Sequence, residues 1–292
     1  MATTLERFAA FLAQAERSPL TIKNYLSDLR AFAAWFEATN GDPFEPLKIT
    51  PTDLREYKRW MVTHCGFKPK SVNRKLATLK SFIHWATETG LVTDARALKI
   101  PKAEKEERHG PRWLDRREQN KLLRVVERTD QPRDLTLIKL LMNTGLRVQE
   151  LCDLTWHDVR LSERKGTLTV RSGKGGKRRQ VPLNQSARSA LLALGHQEHA
   201  GQRAHIFAGQ RGPLTPRGVQ NLLSKYATVA RLESVSPHTL RHTFCKNLVD
   251  AGVGLEKVAA LAGHESLETT RRYCEPSLQD LERVVELIGE EE

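Results

Sequence analysis

The sequence predicts a mainly α protein of two domains: an all-helical N-terminal domain, and a mostly α C-terminal domain with one small antiparallel sheet. Three observations lead there. Apolar residues recur at 3.6-residue spacing through the first hundred positions, as on amphipathic helices. In the second half, two short β-branched runs, GTLTVR (166–171) and RRQVPL (178–183), interrupt the helical patterns. Between the halves, residues 99–112 (KIPKAEKEERHGPR) hold nearly all charge, proline and glycine, which is linker composition. A chain of 292 residues also exceeds what one small core needs. The expected organisation is a domain over 1–102, a linker over 103–112 and a second domain over 113–292.

The elements follow in order. MATTLERFAAFLAQAERS reads as an amphipathic helix; Glu6 and Arg7 in its first turns deny it the unbroken apolar stretch of a signal peptide. Thr21 is expected to cap TIKNYLSDLRAFAAWFEATNG, where Tyr25, Leu29, Phe32 and Phe36 share a face and Gly41 suits the C′ position. Thr50 and Pro51 offer an N-cap and N1 pair before DLREYKRWMV. A fourth helix is expected from about Ser71 to Thr89, closed by Gly90. Val72, Leu76, Leu79, Phe82 and Ile83 form one side of it; Lys70, Arg74, Lys75 and Lys80 form the other, either a solvated face or a DNA-facing one. In the second domain Asp115 and Glu118 make a capping box for a helix to about Arg128, and LTLIKLLMNTG ends at Gly145. The two β-branched runs are joined by SGKGGK as a hairpin with a glycine turn, and helical patterns resume from Asn184 to the end.

With 39% apolar and 28% charged residues the composition is globular rather than disordered, and no run of about 18 apolar residues marks a transmembrane span. Cys65, Cys152, Cys245 and Cys274 lack CxxC spacing, so neither a zinc ribbon nor a disulfide framework is indicated, and a reducing, cytoplasmic setting is expected. The formal net charge is +12, distributed as +6 over 1–102, +12 over 103–274 and −6 over 275–292. Two basic bodies and a short acidic tail point to a polyanionic partner, nucleic acid first and an anionic membrane second.

Four stretches of the second domain concentrate residues suited to phosphoryl chemistry. TGLRVQEL places Arg147 just after a glycine break with Glu150 three residues on, a spacing that also serves a plain helix-surface pair. GKG puts Lys174 at the tip of a turn. SPHTLRH begins like a capped helix, with Ser236 as N-cap and Pro237 at N1, so His238 and Arg241 lie near the phosphate-attracting end of the dipole. Gly263 and His264 close one helix, and Tyr273 follows behind Arg271 and Arg272.

In this order and at these separations, TGLRVQEL, GKGGKRRQVPL, PHTLRH, LAGH and TTRRYCE resemble the tyrosine recombinase (lambda-integrase) family, particularly its Xer-type members. The resemblance runs through 144–275, and LTIKNYLSDLRAFAAWF with SVNRKLATLKSFIHW is similar to the family's helical core-binding domain. It implies a SAM-like N-terminal domain, a C-shaped clamp on double-stranded DNA, and site-specific recombination through a 3′-phosphotyrosyl intermediate and a Holliday junction. It implies a catalytic set of Arg147, Lys174, His238, Arg241, His264 and Tyr273, with Thr21, Tyr25, Arg74, Lys75, Lys80 and Lys177 as candidate DNA contacts. One departure is Glu275, where members often carry a histidine outside the catalytic set; it bears on how the tail docks.

Elementary chemistry agrees with that assignment. Two arginines can donate paired N–H bonds to the non-bridging oxygens of a scissile phosphate, a charge role that needs no metal. Tyr273 is the expected nucleophile, with His238 the expected proton acceptor, His264 on the phosphate and Lys174 protonating the departing 5′-oxygen. Glu150 is expected to orient the arginines. No cofactor and no ATP are expected, because the covalent bond conserves the phosphodiester energy. A tetramer on two sites is the expected assembly, and the amphipathic tail (Leu278, Leu281, Val284, Val285, Ile288) either docks on a neighbour or packs on its own domain. A type IB topoisomerase uses the same constellation, whereas an inactive architectural protein is disfavoured by the intact set, and RNA binding by the lack of clustered stacking aromatics.

Overall fold

The computed structural model describes residues 2–92, 101, 110–171, 178–209, 212–264, 266–274 and 285. The chain forms two units, Met1–Arg108 and His109–Glu292.

The first unit is all-helical: α1 (Ala2–Gln14), α2 (Pro19–Asn40), α3 (Pro51–Thr63) and α4 (Pro69–Glu88). The last three start on a proline, whose missing N–H is one the first turn leaves unpaired anyway. That moves two starts earlier than the sequence pattern suggested. Ser18 rather than Thr21 caps α2, its Oγ accepting the Thr21 N–H at 3.2 Å, so Thr21 sits inside the first turn. In α3 the expected cap forms: Thr50 Oγ1 accepts the Asp53 N–H at 3.2 Å and Asp53 accepts the Thr50 N–H at 2.8 Å. The core is aromatic, with Phe32 edge-on to Tyr57 at 4.9 Å and Phe8 edge-on to Phe82 at 5.3 Å. Each such side chain contributes about 1.5–3 kcal/mol by burial, and each ring pair about 0.5–1.5 kcal/mol more.

The second unit opens with α5 (Arg116–Glu127), capped as expected by the Asp115–Glu118 box, and α6 (Pro132–Thr144). A five-residue helix α7 (Val148–Cys152) leads to a three-stranded antiparallel sheet in the order β1 (Val159–Leu161), β2 (Gly166–Val170), β3 (Arg179–Pro182). Leu168 stands opposite both Val159 and Val181, so one face of the sheet enters the core. Strand β1 was not anticipated, since three residues are too few to display an alternation. There follow α8 (Gln185–Ala193), α9 (His196–His199), a two-residue ribbon of β4 (Ala208–Gly209) and β5 (Gly212–Pro213), and α10 (Pro216–Val229). The chain closes with α11 (Pro237–Asp250), α12 (Leu255–Ala262) and α13 (Leu267–Arg271). Helix α6 is the hub: Leu137, Ile138, Leu140 and Leu141 are fully buried, and α8 and α11 pack against it.

Gly145 ends α6 in the left-handed conformation, where a Cβ would lie 2.3 Å from the Phe244 ring of α11. This close approach fixes where the TGLR turn meets α11. The turn of the β2–β3 hairpin and, apart from exposed Val285, the tail helix expected beyond Cys274 lie outside the described residues. Among the described residues, no helix is long and apolar enough to cross a membrane.

Candidate active site

Glu150 organises the first part of the site. It is buried on α7, with a side chain 3% exposed, and it accepts from two arginines. Arg147 donates through its backbone N–H and its guanidinium, each at 2.8 Å. Arg179 on β3 binds both carboxylate oxygens, at 2.8 and 2.7 Å. Burial by itself would raise the carboxyl pKa, but the Arg179 and Arg147 hydrogen bonds and charges outweigh it and hold it below the usual carboxylate range. The pair is therefore no surface contact. Arg147 also donates to the Gly263 carbonyl at 2.6 Å, and Arg179 to the Leu261 carbonyl at 3.3 Å. The two arginines thus clasp the C-terminal end of α12 to α7 and the sheet.

Helix α11 supplies the second part. Ser236 caps it as expected, accepting the Thr239 N–H at 3.1 Å with Pro237 at N1. Arg241 is buried and donates to the Gly145 carbonyl at 2.5 Å. Burial and then the nearby Arg147 charge pull its pKa down to about 10, which leaves it charged at neutral pH. His238, one turn earlier, is exposed, and its ring lies 6.3 Å from that of His242.

The third part comes from the ends of α12 and α13. Gly263 adopts the left-handed conformation, and a Cβ there would strike the Arg179 guanidinium at 2.8 Å; only glycine lets this arginine cross the helix end. His264 follows, half-buried, with Nδ1 2.9 Å from Thr270 Oγ1. Burial, then the charges of Arg241 and Arg147, push its pKa down to about 4, so it is neutral at pH 7. Tyr273 stacks on it, centroids 6.2 Å apart, and is only 2% exposed. Burial raises the phenol pKa well above its ordinary value. Its hydroxyl sits 2.5 Å from Nδ1 of His242, not on His238.

Arg147, Arg241, His264 and Tyr273 therefore converge, with His238 on the same helix as Arg241. Lys174 and Lys177 lie outside the described residues. The base of their hairpin is anchored nonetheless: Arg171 is paired with buried Asp158 and donates to Thr155 Oγ1 at 2.7 Å. In the first unit, buried Asp28 binds both Arg74 and Lys75, the latter at 3.0 Å, and accepts from Thr78 at 3.2 Å. Lys75, 13% exposed and stacked over Phe67, is a structural counter-ion more than a free cation. Tyr25 packs half-buried against the helical core, Thr21 is half-buried, and Arg74 and Lys80 are exposed. Two residues that the structure brings to the active-site cluster are not singled out by the sequence. Arg179 shares strand parity with buried Val181, and an inward cation requires a buried carboxylate. His242 lies four residues after His238, on the same helix face.

Residues 112–279 match the phage integrase family, and residues 5–90 match the phage integrase N-terminal SAM-like domain. The chain is similar to tyrosine recombinase XerC of Xanthomonas campestris pv. campestris, at 33% identity over 96% of this chain and 87% of that one. It is similar to tyrosine recombinase XerA of Pyrococcus furiosus, at 31% identity over 97% and 92% of the two chains. Among solved structures, a XerH site-specific recombinase bound to palindromic difH substrate in a post-cleavage complex superposes with a TM-score of 0.76 at 22% identity. That match covers 99% of this chain and 85% of the other. The chain belongs to the phage integrase (tyrosine recombinase) family and is a site-specific recombinase that cleaves and rejoins DNA.

Proposed function

We propose that Tyr273 is the nucleophile of this recombination, served by Arg147, Arg241, His238, His264 and Lys174. The observation that carries the reading is convergence: Tyr273 stacks on His264, a half-buried imidazole that, after burial, feels the charges of Arg241 and Arg147. The phenol oxygen attacks the scissile phosphorus, the bond to the 5′-oxygen breaks, and a 3′-phosphotyrosyl link and a free 5′-hydroxyl remain. Arg147 and Arg241 neutralise the non-bridging oxygens as charge gathers there. A Thr270 hydroxyl donating to Nδ1 of His264 leaves Nε2 as an N–H donor for the same phosphate. Lys174 protonates the departing oxygen, and attack by a different 5′-hydroxyl reverses the sequence without ATP.

The substrate is double-stranded DNA at a specific site, two sites being joined in a homo- or hetero-tetramer through a Holliday junction. The solved XerH relative bound to its difH substrate supports this partner class. The domain division at 102–113 places one basic body on either side of the linker, and Lys80 with Lys177 adds phosphate contacts. The acidic tail, net −6 over 275–292, is suited to a basic protein surface of a neighbouring subunit and would be repelled by DNA. A nucleoid-associated, cytoplasmic setting fits such a substrate.

The test is a nicked suicide substrate resolved on a denaturing gel. Wild type should trap a covalent protein–DNA adduct and Tyr273→Phe should trap none while binding DNA nearly as well. A persistent adduct with Tyr273→Phe removes it as nucleophile.

A further inference from the structure

The sequence places the proton acceptor at His238, but the Tyr273 hydroxyl contacts His242 instead. Its Nδ1 is 2.5 Å from the Tyr273 hydroxyl, nearer the nucleophilic atom than any other hydrogen-bond contact of that tyrosine described above. The two rings are 5.6 Å apart at 48°, and Tyr273 itself, 2% exposed, belongs to the small buried cluster of Phe244, Cys245 and Val258. The hydroxyl is thus shielded from water, so an attacking phenol has to hand its proton to a protein group. His238, the other imidazole of α11, is exposed, with its ring 6.3 Å from that of His242, whereas the Tyr273 hydroxyl is on His242.

We infer that His242 is a catalytic residue of this reaction, the group that holds the Tyr273 hydroxyl and accepts its proton as the phosphotyrosyl bond forms. This rests on Tyr273 being the nucleophile. In the cleavage step the Tyr273 O–H bond breaks and an Nδ1–H bond forms on His242. At the same time the phenol oxygen bonds phosphorus, the P–O5′ bond breaks, and the 5′-oxygen takes a proton from the general acid. On rejoining, the attacking 5′-hydroxyl returns a proton to that acid and His242 returns its own to the leaving phenolate. Both groups end as they began, and no other reagent is consumed.

The charges around His242 give this base a substrate-dependent strength. His238 and Arg241 face it from its own helix, Arg272 and Tyr273 from the segment after α13, and His264 from the end of α12. Burial first, and then the charges of His238, Arg241 and Arg272, push its pKa down to about 4 in the DNA-free protein. The ring is therefore neutral across the physiological range, and in the tautomer protonated at Nε2 its Nδ1 accepts from the Tyr273 hydroxyl. A bound phosphate brings negative charge onto Arg241 and offsets the repulsion, which raises the basicity of His242 only when substrate is in place.

The experiment is single-turnover cleavage of the suicide substrate between pH 6.5 and 9 by wild type, His242→Asn and His242→Phe. Asn keeps a hydrogen-bond acceptor but takes no proton; Phe keeps the ring volume and so guards against unfolding. Wild type should give a nearly flat profile. Both variants should cleave about 10²–10⁴-fold more slowly at pH 7, with log rate climbing by about one per pH unit as hydroxide replaces the lost base. Rates at or above wild type make His242 a dispensable latch, and slower rates with a flat profile make it a packing residue; either overturns the proposal. The Tyr273→Phe control separates the two claims, because an adduct in that arm sinks the nucleophile assignment itself, whereas its absence together with a flat His242 profile sinks only the base.

Discussion

At the residue scale the site depends on one carboxylate. Glu150 is the shared counter-ion of Arg147 and Arg179, and neutralising it would leave two clustered guanidiniums with no anion. Glu150→Gln should lower stability at pH 7 by about 3–5 kcal/mol, as when one partner of a buried pair is removed. Because the folded pKa of Glu150 is depressed, its contribution is present above the unfolded carboxylate value and is lost as pH falls through the folded one. Urea denaturation of both proteins should therefore show their difference shrinking as pH falls below about 4. A constant difference would mean that the carboxylate charge is not what stabilises the fold. The sequence made Arg147 and Glu150 visible by their spacing, but not their burial, because an i,i+3 pair looks the same on a surface or in a core. Arg179 was hidden among five basic residues near one turn, and only its parity with Val181 tells it apart.

At the element scale the turn of α6 and the hairpin carry the predictions. Gly145→Ala should cost about 2–4 kcal/mol, from a left-handed alanine and a Cβ driven into the Phe244 ring, measured as a loss of urea midpoint. It should also slow cleavage, since the Gly145 carbonyl holds Arg241. A variant as stable as wild type would show that α11 shifts freely. For the β2–β3 hairpin, loss of Lys174 should matter only while the leaving 5′-oxygen needs a proton. Lys174→Ala should cut an ordinary substrate about 10²-fold slower or worse, yet cut a substrate with sulfur at that 5′ position nearly as well as wild type. Equal losses on both would move the acid role elsewhere, with Lys177 next. Helix identities were legible because their apolar periods are long, and the Thr50–Pro51 cap pair and the Asp115–Glu118 capping box marked two starts. The starts of α2 and α4 were misjudged where a proline outranked the later Thr21 and Ser71. Strand β1 is legible only through its pairing with β2.

At the scale of the whole molecule, charge and chemistry meet. Binding to duplex DNA should weaken steeply with salt, each phosphate contact adding roughly 0.9 to the slope of log affinity against log salt. Lys80→Ala, on an exposed position of α4, should reduce that slope by about 0.9 without loss of stability. Lys75→Ala should instead destabilise the first unit, because it strips a cation from buried Asp28. An unchanged slope for Lys80→Ala would return that side of α4 to a solvated face. The central claim, that two arginines and a tyrosine carry out strand transfer without metal, is tested most directly by mapping the covalent adduct. Wild-type protein would be trapped on a nicked cognate site in excess EDTA, digested, and the DNA-linked peptide identified by mass spectrometry. The expected result is a full yield of adduct, with Tyr273 bonded to a 3′-phosphate. An adduct on another residue, a 5′-linkage, or a yield that returns only with added magnesium would contradict it.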